Sequence, residues 1–480
     1  MPRAFLIFLL CCLLSALGAG VAFGSADWHW RATRGWENPA EGGASPFKVP
    51  LQGVNVALTK YTAEELPRQV AAIAKAGFIW VRQPFYWAEI EAERGVFDFS
   101  RYDPIVAAVA AQPSLRLVAV LESTPAWARR REASGHFFAP PANMEHFAHF
   151  ARTLAARYAD QIDFYQIWDE PNLQERWGGL DPQPAAYAAM LAAAYPAIKA
   201  NDLNATVIAA GLAPTVEQGP RNISDLSYLR ALYAYGANQY FDAAAGKPYG
   251  FNSSPEDRTV DANVLNFSRL ILLREVMQQH GDGHKALWAS HFGWNSLPED
   301  WRGAPSIWGQ VDSATQAEWT RAAYRRAARE WTWIGGLILQ HWSPDAPADD
   351  PIHGFAVSER AAAWFEDGAF FASEGLERGL HHPSDARLRY EGAWQLGPLG
   401  ADVRSVDYGD PSFDFSPQRL TFRFQGESLA LRVRRGDYLA YLYVTIDGAP
   451  ANALPQAEQG GYIVLRSATL QPETVTIRVA

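Results

Sequence analysis

The sequence predicts an α/β chain, a (β/α)8 TIM barrel followed by a C-terminal β-sandwich module, and three observations carry that expectation. Between about residues 50 and 345, eight short apolar runs alternate with helical stretches at fairly even spacing. The runs are apolar nearly throughout, as expected of parallel strands buried on both faces. After about residue 385 the rhythm changes to strand-like runs separated by turns, with no convincing helix. A doubly wound open sheet is the alternative, but no glycine-rich phosphate loop follows the first run.

The expected barrel strands are residues 51–57, 78–83, 115–122, 163–168, 206–211, 239–245, 286–290 and 334–340. Helix ends are readable between them. Thr62-Ala-Glu-Glu65 is a capping box, and Gly77 stops the helix it opens. Asn143 is placed to cap the stretch MEHFAHFARTLAARYA, and Asn263 to open a helix that ends before Gly281. In the C-terminal part the strand-like runs are 420–424, 429–434, 438–446, 462–467 and 474–479. The chain closes on a strand with no hairpin after it, so the module is either truncated or places that strand at an edge.

The expected division is therefore 1–26 as a targeting segment, 27–385 as the barrel domain and 386–480 as the β-sandwich. In the first segment Arg3 precedes AFLIFLLCCLLSALGAG, and Gly24, Ser25 and Ala26 offer a cleavage point. It reads as a signal peptide or, alternatively, a retained membrane anchor, and either places the protein outside the cell or at its envelope. Both cysteines, Cys11 and Cys12, lie in this segment, so the rest of the chain has no disulfide and no cysteine-ligated metal. The formal charge of −10 argues against a nucleic-acid partner, which rewards a basic face. His146 and His149 do not have the His-Glu-x-x-His spacing of a zinc site, and neither a metal nor a cofactor is expected.

In a barrel, function collects where strands meet the loops that follow them. Strand four ends in QIWDEPNL, which puts Asp169 and Glu170 at the rim, and Pro171 disfavours helical geometry at Glu170. An acidic loop or a helix cap is the competing explanation. The 18 Trp, 19 Tyr and 25 Phe can fill a core or make flat platforms for ligands. Trp87, Trp127, Trp177, Trp294 and Trp342 fall on or near rim loops, where indoles can form the walls of a ligand site.

IWDEPNL resembles the Asn-Glu-Pro motif of barrel glycoside hydrolases, in particular the β-xylosidase and α-iduronidase family. VRQPFYWAEIEAERGVFDFSRYD (81–103), STPAWA (123–128) and KPYGF (247–251) are also similar to that family, over about residues 50–365. The resemblance implies hydrolysis of O-glycosidic bonds in an oligosaccharide or polysaccharide, with Glu170 as acid/base. It implies a nucleophilic glutamate at the end of strand seven, where this chain reads LWASHFG and has His291 instead. It places Arg82 beside the catalytic carboxylates and Tyr249 against the nucleophile position. Asp169 stands where the family has the asparagine that bonds the sugar 2-hydroxyl.

A neutral imidazole lacks the charge that stabilises an oxocarbenium-like transition state, and a protonated one repels it. Glu122, ending strand three, and Asp345, after strand eight, are the carboxylates that could act as base on a water, as could His291. The competing reading of Glu122 is a salt bridge to Arg82 or Lys247. Two function classes follow: a glycoside hydrolase with a non-standard second group, or a sugar-binding protein on a hydrolase scaffold. The C-terminal module resembles galactose-binding-like carbohydrate modules in its strand rhythm and in YVTIDG (443–448), which suits a protein held on a polysaccharide.

Overall fold

A computed structural model of the chain describes residues 51–365 apart from 204 and 332, together with residues 30, 33–35 and 376 and short stretches between 388 and 479. The segment 1–26 lies outside the described residues. Among the described residues no helix is long and apolar enough to cross a membrane.

Eight parallel strands pair in chain order and close on themselves. They are β1 (Gln52–Asn55), β2 (Trp80–Tyr86), β3 (Arg116–Glu122), β4 (Phe164–Asp169), β5 (Thr206–Leu212), β6 (Ala243–Gly246), β7 (Ala286–Phe292) and β8 (Ile334–Leu339). β8 returns to β1 with Gly53 opposite Ile338. Each strand is followed by a helix: α1 (Leu66–Lys75), α2 (Asp103–Ala110), α3 (Met144–Tyr158), α4 (Pro184–Lys199), α5 (Asp225–Ala234), α6 (Leu270–Gln279), α7 (Ser313–Glu330) and α8 (Ala361–Phe365). The (β/α)8 barrel read from the sequence is present.

The helices start and stop for local reasons. Ahead of α1 the capping box is complete: the Thr62 amide donates to Glu65 Oε2 at 3.0 Å, and the Glu65 amide to Thr62 Oγ1 at 3.3 Å. Leu66, Val70 and Ile73 then form a stripe one and two turns apart that faces the strands. Asn143 caps α3 by accepting from the Glu145 amide at 2.9 Å. Asn263 does not open α6. Its amide donates to Asp261 in a local turn, and the helix begins after a 3-10 turn at Phe267–Arg269.

Two strand boundaries differ from the sequence reading in ways that matter. β6 is only Ala243–Gly246, because Ala237–Tyr240 forms a 3-10 turn and Asp242 is tied to Tyr195 and the Val207 amide. β7 runs on to Phe292, so His291 belongs to the strand and not to the loop after it.

Inside the barrel, large side chains make a floor. Trp80 lies edge-on to Phe164 and to Trp288, with ring centroids 4.9 Å apart in both pairs. Ile79, Val118, Ile208 and Ile338 pack around them. The Trp288 indole occupies the space where β8 carries Gly336, and a Cβ there would sit 2.7 Å from it. Above this floor the lumen turns polar, with Asn55, Arg82, Gln166 and Gln340 buried on four different strands or their ends.

Beyond residue 388 the described strands are antiparallel. β9 (Arg389–Glu391), β12 (Gln418–Gln425), β18 (Pro472–Val479), β14 (Leu442–Ile446) and β15 (Ala449–Pro450) lie side by side in one sheet. β13 (Ser428–Arg432), β17 (Tyr462–Arg466) and β16 (Leu454–Gln456) form a second, and β10 (Trp394–Gly397) pairs with β11 (Gly400–Val403). The final strand is not at an edge: β18 pairs with β12 on one side and β14 on the other. Residues 438–441 of the expected third strand lie outside the described residues.

The floor makes a stability prediction. Trp288 is 5% exposed, and Trp288→Ala leaves a cavity that Trp80 and Phe164 cannot fill without breaking their own contacts. Urea denaturation should show a loss of about 3–5 kcal/mol.

Candidate active site

A buried guanidinium organises the barrel mouth. Arg82, on β2, donates from Nη1 to Asn55 Oδ1 at 2.7 Å and from Nε to Gln166 Oε1 at 3.0 Å. Its Nη2 lies 3.0 Å from Asp169 Oδ1, and its Nη1 also lies 3.3 Å from His291 Nε2. Asn55 is held in turn, donating to the carbonyls of Ser290 and Leu339. Lys247, just past β6, places Nζ 2.7 Å from Asp169 Oδ2 and 2.7 Å from Glu170 Oε1. Asp169 thus bridges two cations, and one ammonium serves two carboxylates.

Asp169 reaches this position through an irregularity in β4. A regular strand alternates, so Gln166 and residue 168 would both face the lumen. Trp168 instead has a left-handed backbone, φ 65°. Its indole turns outward onto Trp177 and Phe147, and Asp169 takes the inward place. Glu170 follows at φ 51°, outside right-handed helical space but also outside the extended region that a following proline favours. Ser123 and Phe251 are the other described non-glycine residues with positive φ, and they too follow barrel strands near the mouth. Gly211 opposite Asp169 on β5 is required, since a Cβ there would come 3.1 Å from Asp169 Oδ1 and collide with Ser290.

His291 sits in a similar irregularity of β7, where the register against β8 shifts between Ala289 and Phe292. Ser290 and His291 both touch lumen groups, while Phe292 packs outward on Phe267 and Tyr324. Arginine can only donate, so Nε2 of His291 is the acceptor and its proton resides on Nδ1. Nδ1 faces Ser290 Oγ at 3.4 Å, and that hydroxyl donates to the Gly246 carbonyl at 3.3 Å. Burial, with the charges of Lys247 and Arg82 next, holds the imidazole well below the ordinary histidine range. It is therefore neutral, and its lone pair is engaged.

The carboxylates differ in how they are held. Burial alone would raise the Asp169 carboxyl, but Lys247 and Arg82 outweigh it and keep it below the usual range. Glu122 ends β3 and is pushed upward by burial, with Arg176 opposing. Its partner is neither Arg82 nor Lys247, as expected from the sequence, but Arg176, 2.6 Å away on a turn after β4. Arg176 Nε also lies 4.0 Å from Glu170 Oε2. Glu170 is the most open of the three, its side chain 20% exposed against 9% for Asp169 and 4% for Glu122.

Several expected contacts fall elsewhere. Tyr249 does not bond His291; its hydroxyl donates to Gln340 Oε1 at 2.8 Å. Lys247 is 4% exposed and already shared between two carboxylates, so it positions those groups from below. Four of the five tryptophans are wall and not platform. Trp87 stacks on Phe150, and Trp177 packs on Trp168 and Tyr187. Trp294 is 1% exposed and donates to the Ser253 carbonyl, while Trp342 is 3% exposed and donates to Gln69 on α1. The indole N–H groups of Trp87, Trp294 and Trp342 each reach an acceptor in the shell, and that of Trp177 is buried without one. Trp127 alone of the five is half-buried, donating to the Glu91 carbonyl with Arg94 over its ring. No contact places Asp345 against Glu170; its charge acts on Lys60.

The sequence reading passed over Asn55, Gln166, Arg176, Gln340 and Trp308. The readable signal for Asn55 and Gln166 was an amide in the middle of an apolar strand, which a core accepts only when it is bonded. Among the described residues, no group of three or more His, Cys, Asp or Glu is placed to hold a metal ion.

A neutral buried histidine gives a pH signature. The folded-state value of His291 lies below its unfolded value, so its contribution to stability is complete above about pH 6.5 and declines as pH falls below it. The decline is at most about 1.4 kcal/mol per pH unit for one such group. His291→Gln should flatten the dependence of unfolding free energy on pH between 6.5 and 5 by part of that amount, and superimposable slopes would refute the buried neutral state.

No protein-family model and no curated protein matches the sequence. Solved structures do match. A family 39 glycoside hydrolase from the gut symbiont Bacteroides cellulosilyticus WH2 superposes with a TM-score of 0.51 at 16% identity, over 89% of this chain and 81% of that one. A glucosidase from Croceicoccus marinus gives 0.49 at 13% identity, over 92% of this chain and 97% of that one. A GH30 endoxylanase from Clostridium papyrosolvens C71 gives 0.44 at 12%, over 91% and 97%. The likeness to the first is one of fold: that glycoside hydrolase superposes on a chain built as an eight-stranded parallel barrel.

Proposed function

We propose that the barrel mouth binds an oligosaccharide or polysaccharide and does not hydrolyse it by double displacement. The observation that carries this reading is the contact between Arg82 Nη1 and His291 Nε2. Double displacement needs a second carboxyl group about 5–5.5 Å from the acid/base. By resemblance Glu170 is the acid/base and His291 stands at the nucleophile position. Its only basic nitrogen accepts from a guanidinium, so it can serve neither as nucleophile nor as base. Glu122 and Asp169 offer no substitute, since each is bound to a cation within 3.0 Å.

What remains suits recognition. Glu170 presents a partly open carboxylate to accept from sugar hydroxyls, and Arg176 lies beside it to donate. Trp127 is a half-buried indole on the loop after β3. The N-terminal apolar segment favours export, with secretion or retention at the envelope as its outcomes. The antiparallel sheets beyond residue 388 suit a β-sandwich of carbohydrate-binding type, which would keep the protein on a polysaccharide.

Two variants test the reading. The wild type should bind saccharide yet leave aryl β-glycosides intact over hours, whereas His291→Glu should hydrolyse them and lose that activity when combined with Glu170→Gln. Wild-type turnover that vanishes in Glu170→Gln alone would overturn the proposal and restore hydrolysis as the function.

A further inference from the structure

Aromatic side chains flank Glu170 on two sides of the mouth. On one side Arg176, 4.0 Å from Glu170, lies over the Phe138 ring at 3.5 Å from its centroid. Phe138 meets Phe137 edge-on at 5.1 Å, and Phe137 meets Tyr86 at 5.3 Å. Phe137 is 37% exposed, an unusual state for a phenylalanine, and its loop is pinned by the bond from the Thr124 amide to the Phe137 carbonyl. On the other side Tyr249 is near enough to feel the charge of Glu170, and Trp308 packs on it with centroids 6.1 Å apart. Trp308 also meets Phe355 at 5.4 Å and remains half-buried.

These two walls belong to loops after β3 and β7. In a closed eight-stranded barrel those strands are four apart in either direction, so the loops stand diametrically opposed. We propose that Phe137 and Trp308 mark the two ends of a groove that crosses the mouth over Glu170. Its ligand is then a saccharide chain of several units, held by its interior and not by one terminal sugar. The inference rests on the saccharide-binding reading and adds the length and mode of the ligand.

The chemistry selects a sugar chain over an apolar partner. A protein-docking face is a continuous apolar patch, whereas here Glu170 and Arg176, both partly exposed, lie between the rings. Pyranose units have the matching character, with apolar C–H faces for the rings and equatorial hydroxyls for the carboxylate and guanidinium. Two separated platforms with polar groups between them require a ligand long enough to meet both.

The test is a length series. The full chain is applied to a glycan array carrying α- and β-linked glucans, xylans, mannans and galactans of two to eight units, and the best series is followed by calorimetry. Affinity should rise at least about tenfold from the disaccharide to the longest member. Phe137→Ala, at an exposed position, should remove most of that gain while leaving disaccharide affinity within about twofold; Trp308→Phe should remove part of it. Binding that is equal for disaccharide and octasaccharide, or a length gain untouched by Phe137→Ala, overturns the groove and leaves the saccharide reading standing. No binding to any glycan overturns both.

Discussion

Arg82 is the group on which the rest of the mouth depends. A guanidinium 3% exposed inside a barrel must have anions and acceptors on every side, because an uncompensated buried charge costs several kcal/mol. Asn55, Gln166, Asp169 and His291 meet that demand from three different strands. The demand also accounts for geometry that would otherwise be puzzling. Asp169 could not reach Arg82 from a regular β4, and His291 could not from a regular β7, so both strands break their alternation at the level of the guanidinium. Lys247 then follows, since Asp169 facing one cation still has a second oxygen to satisfy.

This arrangement is why an imidazole sits at position 291 without leaving a buried charge unpaired. An anion at position 291 would have shared Arg82 with Asp169. A neutral imidazole accepts one hydrogen bond from the same Nη1 and turns its own N–H toward Ser290 Oγ. Fold and chemistry are separate matters: the likeness to a solved glycoside hydrolase is a likeness of barrels, and what the mouth does depends on its own side chains.

The barrel was legible because its signals are local and repeated. Apolar strand runs, the Thr62–Glu65 box and the Asn143 cap each specify their own stretch of chain. The site was legible as a set of positions, since Arg82, Glu122, Asp169, Glu170, Lys247 and His291 converge at the mouth. Their pairing was not legible. Which carboxylate meets which cation depends on the left-handed turn at Trp168, and no propensity assigns that conformation to a tryptophan. Trp294 and Trp342 were misplaced for a related reason: a rim indole turns inward or outward according to where its N–H finds an acceptor, and Ser253 and Gln69 are distant in sequence. The N-terminal segment lies beyond the described residues, so its part in targeting rests on sequence alone.

The aromatic floor of Trp80, Phe164 and Trp288 turns the barrel from a pipe into a cup. Solvent and ions reach the polar groups above the floor from one face. Every proton exchanged with bulk water by Glu170 or its neighbours crosses the same opening that a bound ligand would cover. Occupancy would therefore cap the cup, and the charges beneath would be cut off from the aqueous phase for as long as the ligand stays.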